Sequence, residues 1–274
     1  MSGPRTRIAP TPSGFLHAGN AINFLVTHQL AREAGGSVLL RIDDLDTDRV
    51  RPEYIEDIFD SLHWLGVGWD EGPRDVEDFH RNWSQKARLD AANAMLVTLR
   101  SSGHLYACDC SRKMIQSCTC RDRSIPLEAP EVCWHLRVPD PCKVRSNKWP
   151  SGEDTIDLHR DLPDPVLRQR NGSPSYQLAS LADDAHFGIT LIVRGEDLLP
   201  STACQTYLAG LLGLHAFTEA RFMHHPLVSD PHGHKLSKSA GADSLRAMRA
   251  AGASPDPLRA QAKKLLAGLR AQGV

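Results

Sequence analysis

Residues 5–42 order themselves as strand, tight turn, helix and strand, and that order constrains the fold more than any other feature of the chain. Arg5 to Ala9 reads as a short strand that breaks at Pro10-Thr-Pro12-Ser-Gly14. A helical pattern follows, with Ala21, Phe24, Leu25, His28 and Leu30 placing apolar bulk largely on one side. Gly35 and Gly36 end that helix, and Ser37 to Ile42 is a compact apolar run of strand type. A strand–helix–strand unit joins parallel strands, so the chain is expected to build an α/β sheet.

Further helices are expected over Pro52–Leu65 and Trp83–Ser101. A cysteine cluster and an irregular, Pro-rich stretch from Ile125 to Pro165 come next. A helix over Tyr176–His186, a strand over Ile189–Val193 and a helix over Ser201–Leu212 then resume the pattern, and the Ala- and Leu-rich tail after Gly241 reads as helical. The spacing divides the chain into a first half (1–107), an insertion (108–170) and a second half (171–274). There is no internal repeat.

Two segments suggest a nucleotide site. In Pro12 to Asn20 a strand gives way to a helix, so backbone N–H groups at the helix start face outward for an anion. His17 adds a donor there, and Gly19 permits close approach to the backbone. Near the other end, Lys235-Leu-Ser-Lys238-Ser239 follows turn residues Asp230 to Gly233. Two ammonium groups around a hydroxyl can neutralise charge that builds on a triphosphate during displacement.

In this order the two segments resemble the HIGH and KMSKS signatures of the class I aminoacyl-tRNA synthetases. Arg7 to His17, Leu40-Arg-Ile-Asp-Asp-Leu-Asp46, Tyr176-Gln-Leu-Ala and Arg194-Gly-Glu-Asp-Leu are similar to the glutamyl subgroup. The resemblance implies an α/β, Rossmann-type parallel-sheet catalytic domain carrying an inserted zinc-binding subdomain, with no anticodon-binding domain. It implies ATP contacts from His17, Gly19, Asn20, Lys235, Ser237 and Lys238, with His17, Lys235 and Lys238 catalytic and Mg2+ accompanying ATP. Asn20 stands where many relatives carry a second histidine.

A glutamate pocket must answer two carboxylates and an ammonium, and arginine pairs with carboxylates through two hydrogen bonds. By resemblance Arg7, Ala9, Thr11, Tyr176 and Arg194 line it, Ala9 through its backbone, and Asp43 faces the ammonium. The family usually has Glu at the position of Asp43 and, in full-length enzymes, Asn at the position of Ser180. Asp44 to Asp48 does not make a calcium loop, because Arg49 holds the sixth position and Ile55 the twelfth.

The sequence has seven cysteines. Cys108-Asp-Cys110 and Cys118-Thr-Cys120 form two C-x-C pairs around a seven-residue spacer, a set suited to one tetrahedral zinc. Short glutamyl paralogues carry zinc here through C-x-C, a Tyr and a Cys followed by Arg; Cys120-Arg121 matches the last element. No Tyr lies between the pairs, so Cys118 takes its place, with Cys133 or His135 as alternative fourth ligands.

The N-terminus lacks the apolar core of a signal peptide and no apolar run is long enough to span a bilayer, so a cytoplasmic, reducing location is expected. Asn82-Trp-Ser84 and Asn171-Gly-Ser173 are then chance matches to the glycosylation pattern. A net charge of −1 leaves any RNA to local basic patches. The length, with only a short tail after Ser239, and the C-x-C element resemble the glutamyl-queuosine subgroup, which implies a monomer whose substrates are L-glutamate, ATP and tRNA(Asp) carrying queuosine. The alternatives are a truncated enzyme charging a tRNA 3′ end and a degenerate RNA-binding paralogue.

Overall fold

The computed structural model describes residues 3–111, 114, 118–227 and 244–271. Strand β1 (Arg5–Ile8) lies parallel to β2 (Ser37–Leu40), and α1 (Ala18–Glu33) crosses between them. β8 (Leu191–Gly195) and β9 (Arg221–His225) are also parallel, and β9 carries β5 (Lys143–Lys148) parallel on its other side. β6 (Glu153–Asp157) completes that sheet antiparallel to β5. Thr190 N donates to Arg5 O at 2.9 Å and Arg5 N to Thr190 Oγ1 at 2.9 Å, which joins the β1 edge to the start of β8.

β2 and β8 are buried on both faces, and Val38–Leu40 and Leu191–Val193 read as apolar runs. Val38, Leu40, Leu191, Val193 and Met223 point into one core with Ile22 and Val26 of α1, Ile58 and Leu62 of α2 (Pro52–Leu65), and Leu266 of the terminal helix. Leu39, Ile192 and Phe222 point into a second core on the opposite face. Leu178 and Leu181 of α6 (Tyr176–His186) and Leu208 of α7 (Leu199–Leu211) close that side. α2 begins at a proline, which needs no N–H donor there, and stops at Gly66 with φ 66°.

The expected helix over Trp83–Ser101 divides. Short helical α3 (Val76–Asp78), a wide turn over Phe79–Trp83 and a tight one over Gln85–Arg88 precede α4 (Leu89–Ser101). Ser84 breaks the run because its hydroxyl donates to Asp44 Oδ2 at 2.6 Å. β8 starts two residues later than expected, as Thr190 is spent on Arg5, and α7 starts two earlier with Pro200 in its first turn.

The Pro-rich stretch is more regular than its composition suggested. It holds β4 (Cys133–Leu136), β5, β6 and the turn α5 (Leu158–Asp161). β4 lies between β3 (Leu105–Cys108) and β7 (Val166–Arg168) in a separate antiparallel sheet. β5 was hard to read because only Val144 and Ser146 face inward among charged neighbours. Beyond α8 (His215–Thr218), the tail forms α9 (Leu245–Ala250) and α10 (Asp256–Ala271), as its composition suggested, and α10 packs on α1. No helix among the described residues is long and apolar enough to cross a membrane.

Candidate active site

His17 is the N-cap of α1. Its Nδ1 accepts from Gly19 N at 3.1 Å, and Asn20 Oδ1 accepts from His17 N at 3.1 Å, a reciprocal cap. Nδ1 as acceptor leaves the neutral ring's proton on Nε2. A Cβ on Gly19 would sit 2.9 Å from the His17 ring, so this glycine makes room for the imidazole. Ser244 and Leu245 return to the same turn: Ser244 bridges His17, and Leu245 N donates to Leu16 O at 2.7 Å. Lys235, Ser237 and Lys238 lie outside the described residues.

A buried network of arginines and aspartates joins the ends of β2 and β8 to α6. Arg7 Nε donates to Asp184 Oδ1 at 2.9 Å and Arg41 Nη1 to the same oxygen at 2.7 Å. Arg41 also holds Asp43 through both carboxylate oxygens, at 2.7 and 3.1 Å, and reaches Ser180 Oγ at 3.1 Å. Arg194 lies 3.8 Å from Asp184 Oδ2 and donates to Gln205 Oε1 at 2.6 Å and Thr202 Oγ1 at 3.1 Å. Asp183 receives Arg88 at 2.9 Å and Gln85 at 2.9 Å.

The two acids on Arg41 are driven in opposite directions. Burial raises the Asp43 carboxyl, and Arg41 only partly offsets it. Burial acts on Asp184 too, but Arg7, Arg41 and Arg194 together outweigh it and hold that group below its ordinary value. Burial, with Arg7 and Arg41 nearby, lowers Arg194. His224, whose Nε2 lies 2.9 Å from Thr202 Oγ1, is pushed down to about 3 by burial and by Arg194.

Thr11, Asp43, Tyr176 and Ser180 line one cavity of about 320 Å³. Tyr176 is exposed at the start of α6. Arg7, Ala9 and Arg194 are not in its wall, but Arg41 links the wall residues Asp43 and Ser180 to Asp184, and Asp184 to Arg7. Sequence reasoning missed Arg41, Asp183 and Asp184. A signal was present: a charge inside an apolar run, and two acids in the last turn of a helix, where the dipole disfavours them.

The four cysteines Cys108, Cys110, Cys118 and Cys120 converge, all four sulfurs lying within 4.8 Å of one another. Cys108 and Cys118 are 3.6 Å apart, and Cys110 and Cys120 3.5 Å. A tetrahedral thiolate site with bonds of ~2.3 Å has sulfur edges of ~3.8 Å, so the set fits one zinc-sized ion. His135 is turned away, its Nδ1 2.7 Å from Asp164 O, and Cys133 is outside the group. Burial pushes the Cys108 thiol up, and the hydrogen bond shared with Cys120 lifts Cys110 to about 11. Arg170 ties the knuckle down by donating to the carbonyls of Asp109 and Cys110 at 2.8 and 2.7 Å.

A helix-capping histidine after a parallel strand, with a buried arginine–aspartate network behind an adjoining cavity, is the arrangement expected of a class I synthetase catalytic domain. The model for tRNA synthetases class I (E and Q), catalytic domain, matches residues 4–131 and 151–268. The chain is 39% identical over 272 residues to a Glutamyl-Q tRNA(Asp) synthetase of Pseudomonas aeruginosa, covering 93% of this chain and 88% of the relative. It is 36% identical over 268 residues to one of Nitratidesulfovibrio vulgaris, covering 90% and 82%. Among solved structures it is similar to a glutamate-tRNA synthetase from Elizabethkingia anophelis, with a TM-score of 0.72 and 26% identity over 86% of this chain and 53% of that one. This chain thus spans about half the length of that structure. The chain belongs to the class I tRNA synthetases for glutamate and glutamine, in the branch of the Glutamyl-Q tRNA(Asp) synthetases.

Proposed function

We propose that the protein activates L-glutamate with ATP and Mg2+, without needing tRNA, and transfers it to the queuosine base in the anticodon of tRNA(Asp). The buried Arg7–Arg41–Arg194 cluster carries the reading, because Arg7 and Arg194 share Asp184 as their one carboxylate partner among the described residues, with Arg41 on the same acid, beside a cavity of amino-acid size. Arg7 and Arg194 bind the substrate carboxylates, Tyr176, Thr11 and the Ala9 backbone position it, and Asp43 receives its ammonium. The names of the relatives support the acceptor.

In the first step an oxygen of the glutamate α-carboxylate attacks the α-phosphorus of ATP. The bond to the bridging oxygen breaks and pyrophosphate leaves. His17 donates from Nε2 to a phosphate oxygen, Gly19 and Asn20 shape the helix start, and Lys235, Ser237 and Lys238 meet the charge that builds on the leaving group. In the second step a hydroxyl of the acceptor attacks the acyl carbon, an ester forms, and AMP departs with the bonding pair. A zinc ion held by Cys108, Cys110, Cys118 and Cys120 would fix the cysteine knuckle at the end of β3, beside the β3–β4–β7 sheet.

The test is pyrophosphate exchange with glutamate in the absence of RNA, followed by transfer to tRNA(Asp) with or without queuosine. Exchange without RNA, and transfer to queuosine-containing RNA from which the 3′ adenosine has been trimmed, are expected. Exchange that appears only on adding tRNA, with transfer lost on trimming and indifferent to queuosine, would make the protein a glutamate-tRNA ligase of the 3′ end.

A further inference from the structure

Next to the 320 Å³ cavity lies a larger one of about 760 Å³, and the two share Asp46, Arg49 and Gln169 in their walls. The cysteine knuckle contributes Cys110 and Ser111 to the larger cavity. His135 and Ser175 are also in its wall, on elements joined to β7. His135 is registered with Val166, and Ser175 N donates to Leu167 O at 2.8 Å, so adjacent residues of one strand hold the two side chains.

Neither side chain spends its full hydrogen-bonding capacity on the fold. The Asp164 carbonyl can only accept, so His135 Nδ1 carries a proton and the neutral ring presents a lone pair at Nε2. No described protein group bonds that Nε2. Ser175 is the N-cap of α6, yet its hydroxyl makes no capping bond and is buried without a partner. Serine is favoured at an N-cap because it normally makes that bond, and buried polar atoms are nearly always partnered. Asp164 has a φ of 42°, and Arg121, the amide of Val138 and the Tyr106 hydroxyl hold its carboxylate at 2.6 to 3.1 Å. The imidazole is therefore oriented by a fixed backbone group. A pure acceptor in the cavity wall suits a ligand O–H group, which donates to Nε2. A carboxylate would meet the Nε2 lone pair with repulsion.

We propose that His135 recognises the vicinal diol of the acceptor nucleoside, its Nε2 accepting from the hydroxyl beside the one that is acylated. The proposal rests on the transfer reading above and names a residue that selects its acceptor. Queuosine and a 3′-terminal ribose both offer such a diol, and trimmed RNA with queuosine or intact RNA without it separates the two sources.

Asparagine places its amide nitrogen where His135 has Nδ1, and glutamine places its terminal group where His135 has Nε2. His135→Asn keeps the bond to Asp164 and loses the acceptor, whereas His135→Gln keeps an acceptor in the cavity. We expect His135→Asn to leave thermal stability and pyrophosphate exchange within about twofold of wild type while raising the acceptor KM on the order of tenfold, the worth of one strong hydrogen bond. His135→Gln should recover most of that loss. An unchanged acceptor KM in His135→Asn overturns the proposal, as does a parallel fall in stability, exchange and transfer. If the wild type acylates only the 3′ adenosine, the queuosine reading fails; the same KM comparison on that arm then decides for or against diol recognition.

Discussion

Asp184→Asn removes one charge from a side chain with no exposed surface and leaves its shape intact. Asp184 Oδ1 receives Arg7 at 2.9 Å and Arg41 at 2.7 Å, and Arg194 stands 3.8 Å from Oδ2. Breaking a buried ion pair by removing one partner costs about 3–5 kcal/mol, since the remaining charge is left in a poor dielectric. With a urea slope of ~3 kcal/mol/M for a chain of this size, the unfolding midpoint should drop by roughly 1–2 M. Asp43→Asn supplies the contrast. Burial raises Asp43 in the folded protein, so neutralising it relieves part of a cost, and the net loss should stay near ~1–2 kcal/mol. The pH dependence carries the same signs. Asp184 is held low, so its contribution is present above an unfolded value of ~4 and is lost as pH falls through the lower folded value. Asp43 is held high, so its protonation favours the fold at low pH, and that benefit is lost as pH rises through the folded value. Urea titrations by circular dichroism at pH 7 and pH 4 measure both effects. If the two variants lose equal stability at pH 7, Asp184 does not anchor the cluster.

His17→Asn keeps a side chain able to cap α1 and should hold stability within ~1 kcal/mol, yet lower pyrophosphate exchange about 10²-fold by removing a phosphate donor; stopped exchange and thermal melts separate the two roles. Cys108→Ser should reduce bound zinc from about one per chain to none, read by metal analysis, and speed amide exchange over β3 and β4 while α1 and β9 keep their protection. Leu266→Ala, at a buried contact between α10 and α1, should cost ~2–5 kcal/mol by leaving a cavity, with no change in zinc content.

The parts legible in the sequence were those written in local periodicity or punctuation. α2 and α6 begin and end where the pattern placed them, because a first-turn proline and Gly66 bound one and an apolar stripe defines the other. The four cysteines announced themselves by spacing, and the structure brings all four sulfurs together. Arg41, just past the end of β2, and Asp183 and Asp184, inside a helix, were not legible because their partners lie far away in sequence; Arg41 and Asp184 are 143 residues apart. β5 and β6 escaped notice for a related reason. A parallel neighbour, β9, stabilises β5 from more than seventy positions downstream, and the local prolines point the other way.

The distance in sequence between Arg7 or Arg41 and Asp184 also bears on how the chain reaches its native state. β1 and β2 bring two guanidiniums and Asp43 to one side, whereas α6 brings Asp183 and Asp184 to the other. Neither side alone balances its charge, so correct docking is the arrangement in which the buried charges are best matched, and a misplaced helix would leave cations stranded. Contacts that span so much chain close late in folding. Occupancy of the proposed glutamate pocket would thus report on assembly of the whole sheet, and a protein captured part-way through folding, with one βαβ unit formed, would have no such site to offer.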